Sequence, residues 1–237
     1  MRAIILAAGQ GTRLGNLTAS TPKCLVKIHD TPILKLQLDL WNELGINNFS
    51  IVIGSKGDCW TQDSYDEIRK YCNDVIINFD NDVTQNSFSL YLALKKSSDE
   101  DALYVDGDIV LNSDSAKEIV NCSYDNFIVT KESTDRAEPG NRVESDENKV
   151  VLDIGKTLQP NHNPWTIYGG IGKISNKCIN QMKSILADGE CKDEDVGYPL
   201  KLFSGRESLN NLVINDGWIN VNTIVDMKNA NELINSE

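Results

Sequence analysis

The opening stretch, residues 3–23, constrains the fold more than any other part of the sequence. It begins with the apolar run Ile4-Ile5-Leu6, which is typical of a strand buried inside a parallel sheet. The run ends at residues 7–11, where alanines and glycines let the backbone turn tightly and bring its N–H groups close to an anion. Arg13 and Lys23 flank this turn. A buried strand, a glycine turn and two nearby bases together predict a cradle for a triphosphate.

Two common glycine motifs do not fit this turn. A dinucleotide-binding fingerprint needs a third small residue at position 14, which is occupied by Leu14. A P-loop needs Gly-Lys-Ser or Gly-Lys-Thr at the start of a helix, whereas Gly11 is followed by Thr12 and Arg13. The turn is therefore predicted to bind a nucleotide in another way.

Composition narrows the class of protein. Acidic residues outnumber basic ones by 35 to 23, and a formal charge of −12 is unfavourable for nucleic-acid binding, which depends on phosphate contacts. No apolar stretch is long enough to cross a bilayer, so no membrane partner is predicted. The six cysteines include no Cys-x-x-Cys pair, and the sequence has only two histidines. We therefore predict a cytoplasmic protein with reduced thiols, without a histidine-based zinc site or catalytic triad.

The pattern of apolar residues predicts one α/β domain over residues 1–237. Strand patterns at 49–53, 75–79, 102–105, 126–129, 211–214 and 218–221 are interspersed with helix patterns at 32–44, 63–71, 87–96, 113–120, 176–187, 193–203 and 225–234. Their alternation predicts a Rossmann-like, mostly parallel sheet with helices on both faces. Residues 131–165 are more polar and contain short extended pieces at 141–144 and 149–154, which predict a small β-ribbon lobe inserted in the domain.

A second candidate site follows the strand pattern at residues 102–105. That strand ends in Asp106-Gly107-Asp108, and an open parallel sheet binds its ligands beyond the carboxyl ends of its strands. Two carboxylates in this position suit Mg²⁺ that is held together with substrate phosphates. The alternative is a solvated turn in which Asp serves as a turn former. Beside a phosphate-binding loop, we favour the metal.

These motifs resemble those of the nucleotidyltransferase family that makes NDP-sugars and CDP-alcohols. The resemblance lies in Gly-x-Gly-Thr-Arg-Leu followed by Pro22-Lys23, in the Asp-x-Asp strand end, and in the closing segment 218–226. Residues 86–90 replace the Gly-Thr-Ala helix start of the sugar-nucleotide branch and look like the CTP:phosphocholine cytidylyltransferase branch. Two features depart from the family pattern: Asn16 stands where many relatives have proline, and the chain is shorter than is typical of hexose-1-phosphate enzymes.

The resemblance implies a Mg²⁺-dependent reaction, with the metal held by Asp108, Asp106 and Asn222. In the closing segment of the family an Asp or Asn helps to hold the metal opposite the first aspartate, and Asn222 occupies that position here. The segment also has a simpler interpretation, in which Thr223 and Asp226 form a capping box for the last helix. The two roles are compatible with each other.

The expected reaction is attack by an acceptor phosphate or phosphonate oxygen on the α-phosphorus of CTP, with pyrophosphate as the leaving group. Arg13 would hold the β- and γ-phosphates, and Lys23 would lie against the α-phosphate and the acceptor. Residues 85–87 would bond to the pyrimidine edge, or Asn86 or Ser87 would cap the helix that begins there. The predicted nucleotide contacts are Leu6, Ala7, Ala8, Gly9, Gly11, Thr12, Gln85, Asn86, Ser87 and Asp106.

The acceptor pocket is predicted between the sheet and the β-ribbon. Aromatic faces and carboxylates suit a small cation such as choline or an amine, and a lysine suits an acceptor anion. Aromatic residues are otherwise more often part of a core. The candidate residues are Lys156, Trp165, Tyr168, Asp195 and Trp218. Phosphocholine, 2-aminoethylphosphonate, a phosphorylated amino acid and a sugar phosphate all stay open as acceptors.

The leading hypothesis is therefore a cytidylyltransferase that acts on CTP and a small phosphorylated, phosphocholine-like acceptor. The runner-up is a sugar-1-phosphate nucleotidyltransferase. A third class, a non-catalytic nucleotide-binding subunit, predicts damaged catalytic positions, whereas Arg13, Lys23 and Asp108 are all present. The sequence has no feature that sets an oligomeric state.

Overall fold

The apolar opening run forms a central strand of a mixed sheet in a computed structural model, which describes residues 1–96, 99–135, 137–160 and 164–235. All five residues of this strand, β1 (Arg2–Leu6), are buried. Ala3 and Ile5 belong to the core on one face of the sheet, and Ile4 and Leu6 belong to the core on the other. Burial on both faces explains why the run is continuously apolar instead of alternating with polar residues.

The strands of the central sheet are arranged in the order β10-β9-β11-β6-β1-β4-β5, with β8 paired to β11 and β12 paired to β8. Strands β6, β1, β4 and β5, which are neighbours in that order, are parallel to one another. Strand β11 is antiparallel to β6, β8 and β9. The strands after β1 are β2 (Lys27–Ile28), β3 (Thr31–Pro32), β4 (Asn48–Gly54), β5 (Val75–Asn78), β6 (Ala102–Asp106), β7 (Ile109–Leu111), β8 (Phe127–Ser133), β9 (Arg142–Ser145), β10 (Val151–Gly155), β11 (Trp165–Ile174), β12 (Asn210–Val213) and β13 (Trp218–Asn220).

Helices cover both faces of the sheet. Their bounds are α1 (Ile33–Glu43), α2 (Gln62–Tyr71), α3 (Asn86–Lys95), α4 (Ser113–Asn121), α5 (Ile179–Leu186), α6 (Gly197–Ser204) and α7 (Ile224–Asn235). Side chains of α1, α2 and α4 pack into the core on one face, and those of α3, α5 and α6 pack into the core on the other. No helix in the described part of the chain has both the length and the apolar character of a membrane span. The predicted α/β fold class is confirmed.

The two extended pieces predicted for the β-ribbon are β9 and β10, which form an antiparallel hairpin. Because β9 also pairs with β11, this hairpin is an edge of the main sheet. Residues 136 and 161–163 of the predicted insert lie outside the described residues. The ribbon therefore extends the sheet on its antiparallel side.

Local differences from the sequence prediction have simple causes. Helix α6 begins at Gly197 and not at residue 193, because Asp195 precedes it and accepts a hydrogen bond from the Gly197 N–H at 3.0 Å. The predicted helix 176–187 opens with a 3₁₀ turn, Asn176–Cys178, before α5 begins. The sequence does not predict β7, because its three residues directly follow the Asp-x-Asp turn and are too few to show a period; pairing with β13 makes them a strand.

We predict that Gly172→Ala destabilises the fold, whereas Gly155→Ala does not. A Cβ atom at residue 172 would lie 2.2 Å from the hydroxyl oxygen of Tyr104 and 2.8 Å from the carbonyl oxygen of Phe127. Tyr104 is fully buried, so its ring has no space to move into, and overpacking of this kind costs about 1–3 kcal/mol. A Cβ atom at residue 155 would have no heavy atom within 4 Å. Calorimetric unfolding of both variants measures the difference, and equal midpoints would contradict the predicted crowding.

Candidate active site

A cavity of about 550 Å³ lies at the carboxyl ends of β1 and β6. Strand β1 is bonded to β4 on one side and to β6 on the other, so the loops that follow these strands diverge and leave a crevice, as in other open α/β sheets. The cavity is lined by residues 6–13, 23–24 and 106–108, by several residues between 78 and 89, and by Asp195. The predicted triphosphate cradle and the Asp-x-Asp turn therefore share one crevice.

The glycine loop, residues 7–11, packs against the side chain of Lys23. Gly11 has φ 67° and ψ 23°, a left-handed conformation that glycine adopts without strain, and a Cβ atom there would lie 3.0 Å from the Cβ of Lys23. The hydroxyl of Thr18 donates to the Gly11 carbonyl at 2.8 Å and fixes the end of the loop. Arg13 is exposed at the rim, and Lys23 is half-buried. Both predicted bases thus border the cavity, on either side of a tight backbone turn.

Lys23 connects the loop to two distant segments. Its ammonium donates hydrogen bonds to a carboxylate oxygen of Asp108 and, at 2.8 Å, to the amide oxygen of Asn222. Strand β13 brings Asn222 to this place, since the Val221 N–H donates to the Asp108 carbonyl at 2.9 Å. The three side chains form one charge-assisted cluster, which we call the lysine bridge.

The predicted capping box at the last helix is present. The carboxylate of Asp226 accepts from the N–H groups of Asn222 and Thr223 at 2.9 and 2.7 Å, and the Thr223 hydroxyl accepts from the Asp226 N–H at 3.2 Å. These bonds fix the backbone that carries Asn222. Capping and placement of the Asn222 side chain beside Lys23 therefore occur together.

Asp106 lies against a glycine break in β11. The register of β11 shifts between Tyr168 and Gly172, and Gly170 has φ 83°; a Cβ atom there would lie 2.5 Å from a carboxyl oxygen of Asp106. Asn86 donates to the other oxygen at 3.2 Å. Desolvation by the surrounding protein, and then the charge of Asp108, raise the pKa of Asp106 to about 8. The hydrogen bond from Asn86 and the charge of Lys23 act in the opposite direction and favour the ionised form.

The oxygen donors suit a hard divalent cation. The described residues contain no group of three or more His, Cys, Asp or Glu side chains arranged for a metal, so a site here would use the carboxylates of Asp106 and Asp108 and the amide oxygen of Asn222. Oxygen donors of this kind are those that Mg²⁺ takes in proteins. Oxygens of Asp108 and Asn222 already surround one cation, the Lys23 ammonium. The chemistry of this set fits Mg²⁺.

The start of α3 differs from the predicted capping. Gln85 is the N-cap and makes no side-chain capping bond. The side chains of Asn86 and Ser87 do not cap the helix, since they make tertiary contacts. The Asn86 amide oxygen accepts from the Val196 N–H at 3.0 Å. Ser87 is fully buried and donates to the carbonyls of residues 191 and 194, so it does not border the cavity, whereas Gln85 and Asn86 do.

Asn81 is a cavity residue that the sequence analysis missed. Its amide nitrogen donates to the carbonyls of Ala8 and Lys56 at 3.3 and 3.0 Å, and its oxygen accepts from the N–H groups of Ser55 and Lys56 at 3.0 and 2.9 Å. It thereby ties the loop after β1 to the loop after β4. The signal available in the sequence is that Asn81 follows the end of β5, at the same edge of the sheet as the other predicted groups.

Three of the five predicted acceptor residues, Lys156, Tyr168 and Asp195, lie near one another, whereas Trp165 and Trp218 pack elsewhere. Asp195 borders the cavity, and the Lys156 ammonium forms an ion pair with its carboxylate at 2.5 Å, which raises the pKa of Lys156. Trp165 is buried and stacks against the Arg142 guanidinium, 5.6 Å from its ring centre.

The other two predicted aromatic residues are also outside the cavity lining. Trp218 packs over Gly169 and donates its indole N–H to the Ile214 carbonyl at 2.8 Å. Tyr168 is half-buried, and desolvation raises the pKa of its buried phenol. Among the described residues that line the cavity, none is aromatic.

The chain contains one Gly-Lys-Thr triplet, at residues 155–157. Gly155 is the last residue of β10, and a turn follows it in place of a helix. A P-loop requires a helix start at this point, with backbone N–H groups around the phosphates. The triplet is therefore not a P-loop.

A protein-family model described as MobA-like NTP transferase domain matches residues 3–200. The chain is 38% identical to choline-phosphate cytidylyltransferase of Streptococcus pneumoniae over 93 residues, which are 39% of this chain and 38% of that protein. The alignment thus spans less than two-thirds of the pneumococcal protein. The chain is also 27% identical to CTP:phosphoglutamine cytidylyltransferase of Campylobacter jejuni over 221 residues, which are 86% of this chain and 83% of that protein.

A solved structure shows the same fold. The CTP:phosphocholine cytidylyltransferase from Streptococcus pneumoniae superposes with a TM-score of 0.78, over 98% of this chain and 98% of that chain, at 21% identity. The mixed sheet with helices on both faces is thus the fold of that enzyme.

Proposed function

The chain belongs to the family of MobA-like NTP transferase domains and is a nucleotidyltransferase; on this premise we propose that it transfers CMP from CTP to a small phosphorylated or phosphonate acceptor of phosphocholine-like size. The observation that carries the proposal is the lysine bridge, which joins an ammonium, a carboxylate and an amide oxygen beside the glycine loop in one crevice. Two relatives, choline-phosphate cytidylyltransferase of Streptococcus pneumoniae and CTP:phosphoglutamine cytidylyltransferase of Campylobacter jejuni, are cytidylyltransferases, which supports CTP as the donor.

The reaction needs no protein base. An ionised oxygen of the acceptor phosphate or phosphonate forms the new P–O bond to the α-phosphorus of CTP. The bond from that phosphorus to the bridging oxygen breaks, and pyrophosphate leaves with the electron pair. Both reactants are anions, so catalysis consists mainly of positioning and charge neutralisation.

Three groups of this chain carry those tasks. The N–H groups of residues 9–12 face the triphosphate, and Arg13 at the rim pairs with its β- and γ-phosphates. Lys23 neutralises the α-phosphate and the incoming oxygen, because its ammonium lies inside the cavity wall beside Asp108. In the free protein Asp108 and Asn222 hold that ammonium at the cavity wall.

Asp106, Asp108 and Asn222 would hold Mg²⁺. When bound, Mg²⁺ supplies Lewis-acid charge neutralisation to the phosphates. Asn86 orients the Asp106 carboxyl group through its hydrogen bond, and the capping box orients Asn222. Gln85 lines the cavity and carries an amide group, which can both donate and accept hydrogen bonds, so it is the residue that would bind the cytosine edge. Six free cysteines agree with a cytoplasmic, reducing compartment, where we place the reaction.

Pyrophosphate release with CTP, UTP, ATP and GTP tests the proposal. Each nucleotide is combined with phosphocholine, 2-aminoethylphosphonate, a phosphorylated amino acid or glucose 1-phosphate. We expect release with CTP and a small nitrogen-containing acceptor. Release with UTP and glucose 1-phosphate would favour a sugar-1-phosphate nucleotidyltransferase. Binding of CTP without release from any pair would favour a non-catalytic subunit.

Lys23→Ala should lower turnover by about 100-fold or more, because one preorganised positive group at the reacting phosphate is lost. Lys27→Ala is the matched control, since Lys27 is an exposed lysine on the neighbouring β2. Steady-state pyrophosphate release measures turnover, and circular dichroism checks that both variants fold. Turnover of Lys23→Ala close to that of the Lys27→Ala control would remove Lys23 from the mechanism.

Asp108→Asn should raise the Mg²⁺ concentration needed for half-maximal activity by about tenfold, because a neutral amide replaces a carboxylate ligand. Asp114→Asn is the control, since Asp114 is exposed on α4 and pairs with Lys117. Electron paramagnetic resonance of Mn²⁺ in the presence of CTP gives a second readout, in which Asp108→Asn leaves more Mn²⁺ free. Unchanged metal binding in both assays would exclude Asp108 as a ligand.

A further inference from the structure

We propose that the acceptor is a zwitterion, with an ammonium and a carboxylate on the same molecule as its phosphate or phosphonate, as in a phosphorylated amino acid. This inference rests on the proposed function and names the class of its second substrate. It is carried by the ion pair between Asp195, on the cavity wall, and Lys156, at the end of the β9–β10 hairpin.

Asp195 is held as a fixed anionic group. One of its oxygens accepts from the Asn141 amide at 2.9 Å and from the Gly197 N–H at 3.0 Å. Asn141 is itself fixed, because its carbonyl accepts from the Tyr168 N–H at 2.9 Å. The carboxylate therefore has a set orientation, with its second oxygen directed at the Lys156 ammonium. That oxygen is the site for an acceptor ammonium.

Lys156 is the movable partner. Its side chain is 65% exposed, compared with 23% for Asp195, so the ammonium can leave the carboxylate and stay hydrated. An exposed ion pair of this kind contributes little to stability, and opening it is inexpensive. An incoming zwitterion replaces the pair with two new ones, its ammonium on Asp195 and its carboxylate on Lys156. Because the ammonium and the carboxylate cancel, they do not change the net charge at this end of the cavity.

Acceptors with only one of the two charges fit less well. A quaternary ammonium such as choline is recognised by aromatic faces, and no described residue of the cavity lining is aromatic. Trp165 and Trp218, the predicted cage residues, pack elsewhere. A primary amine without a carboxylate would bind Asp195 and displace Lys156 without giving it a new partner. A carboxylate without an amine would leave Asp195 beside a second anion.

The test compares kcat/KM for pyrophosphate release from CTP with four acceptors. O-phosphoserine carries both charges, phosphoethanolamine lacks the carboxylate, 3-phospholactate lacks the ammonium, and phosphocholine carries a quaternary ammonium. We expect O-phosphoserine to exceed phosphoethanolamine by about two- to fivefold, the size of one exposed ion pair. The advantage over 3-phospholactate should be larger, because that acceptor places its carboxylate near Asp195 without an ammonium between them. Equal or better use of phosphocholine or phosphoethanolamine would overturn the inference and leave the proposed function intact.

Two variants test whether Lys156 causes the preference for O-phosphoserine. Lys156→Gln should lower kcat/KM for O-phosphoserine by about two- to fivefold and should not lower it for phosphoethanolamine, because only O-phosphoserine has a carboxylate that pairs with Lys156. Lys201→Gln is the matched control: Lys201 on α6 pairs with Asp153 on β10 at 2.7 Å, which joins the same two parts of the fold. Equal losses for both acceptors in Lys156→Gln would also overturn the inference, because they would indicate a structural role.

Failure of the inference and failure of the proposed function give different results. If CTP releases pyrophosphate with 2-aminoethylphosphonate but with none of the four acceptors, the zwitterion proposal alone fails. If CTP releases pyrophosphate with none of these five acceptors, the proposed function fails with it, whether or not CTP binds in calorimetry.

Discussion

The interaction on which the site depends is the lysine bridge. Lys23 lies 85 positions from Asp108 and 199 positions from Asn222 in the sequence, and its ammonium bonds to both. One side chain therefore holds the opening loop, the end of β6 and the segment before α7 together. Hydrogen bonds between charged groups are stronger than neutral ones, so this contact adds to the pairing of β7 with β13 and to the bond from the Val221 N–H to the Asp108 carbonyl.

The concentration of negative charge in the crevice explains why a cation is needed near Asp106 and Asp108. Asp106 and Asp108 are separated by one glycine, and the pKa of Asp106 is raised to about 8 by burial and by its neighbour. The whole chain carries a formal charge of −12. A nucleotide triphosphate and an acceptor phosphate add further negative charge. Anions can meet in this crevice only if positive groups are concentrated at the same sheet edge, which is where Arg13, Lys23 and the loop N–H groups lie.

The sequence predicted the nucleotide half better than the acceptor half, for physical reasons. The cradle is contiguous in sequence, so strand, glycine turn and bases could be recognised together. The contacts of Ser87 and Asn81 depend on segments far away, and nothing local separates a serine that binds remote carbonyls from one that caps its own helix. Trp165 and Trp218 contact Arg142 and the Ile214 carbonyl, and composition does not tell which side of a sheet an aromatic ring faces.

Strand β11 separates the two halves of the site. Its C-terminal part pairs with β6, which carries Asp106, and its N-terminal part pairs with the hairpin that leads to Lys156. The glycine break between the two parts shifts the register, which allows one strand to pair with β6 at one end and with β9 at the other. Residues of the hairpin and of α6 do not take part in the lysine bridge. Substitutions on the acceptor side can therefore change which molecule is accepted while the phosphate chemistry at β1 and β6 stays the same.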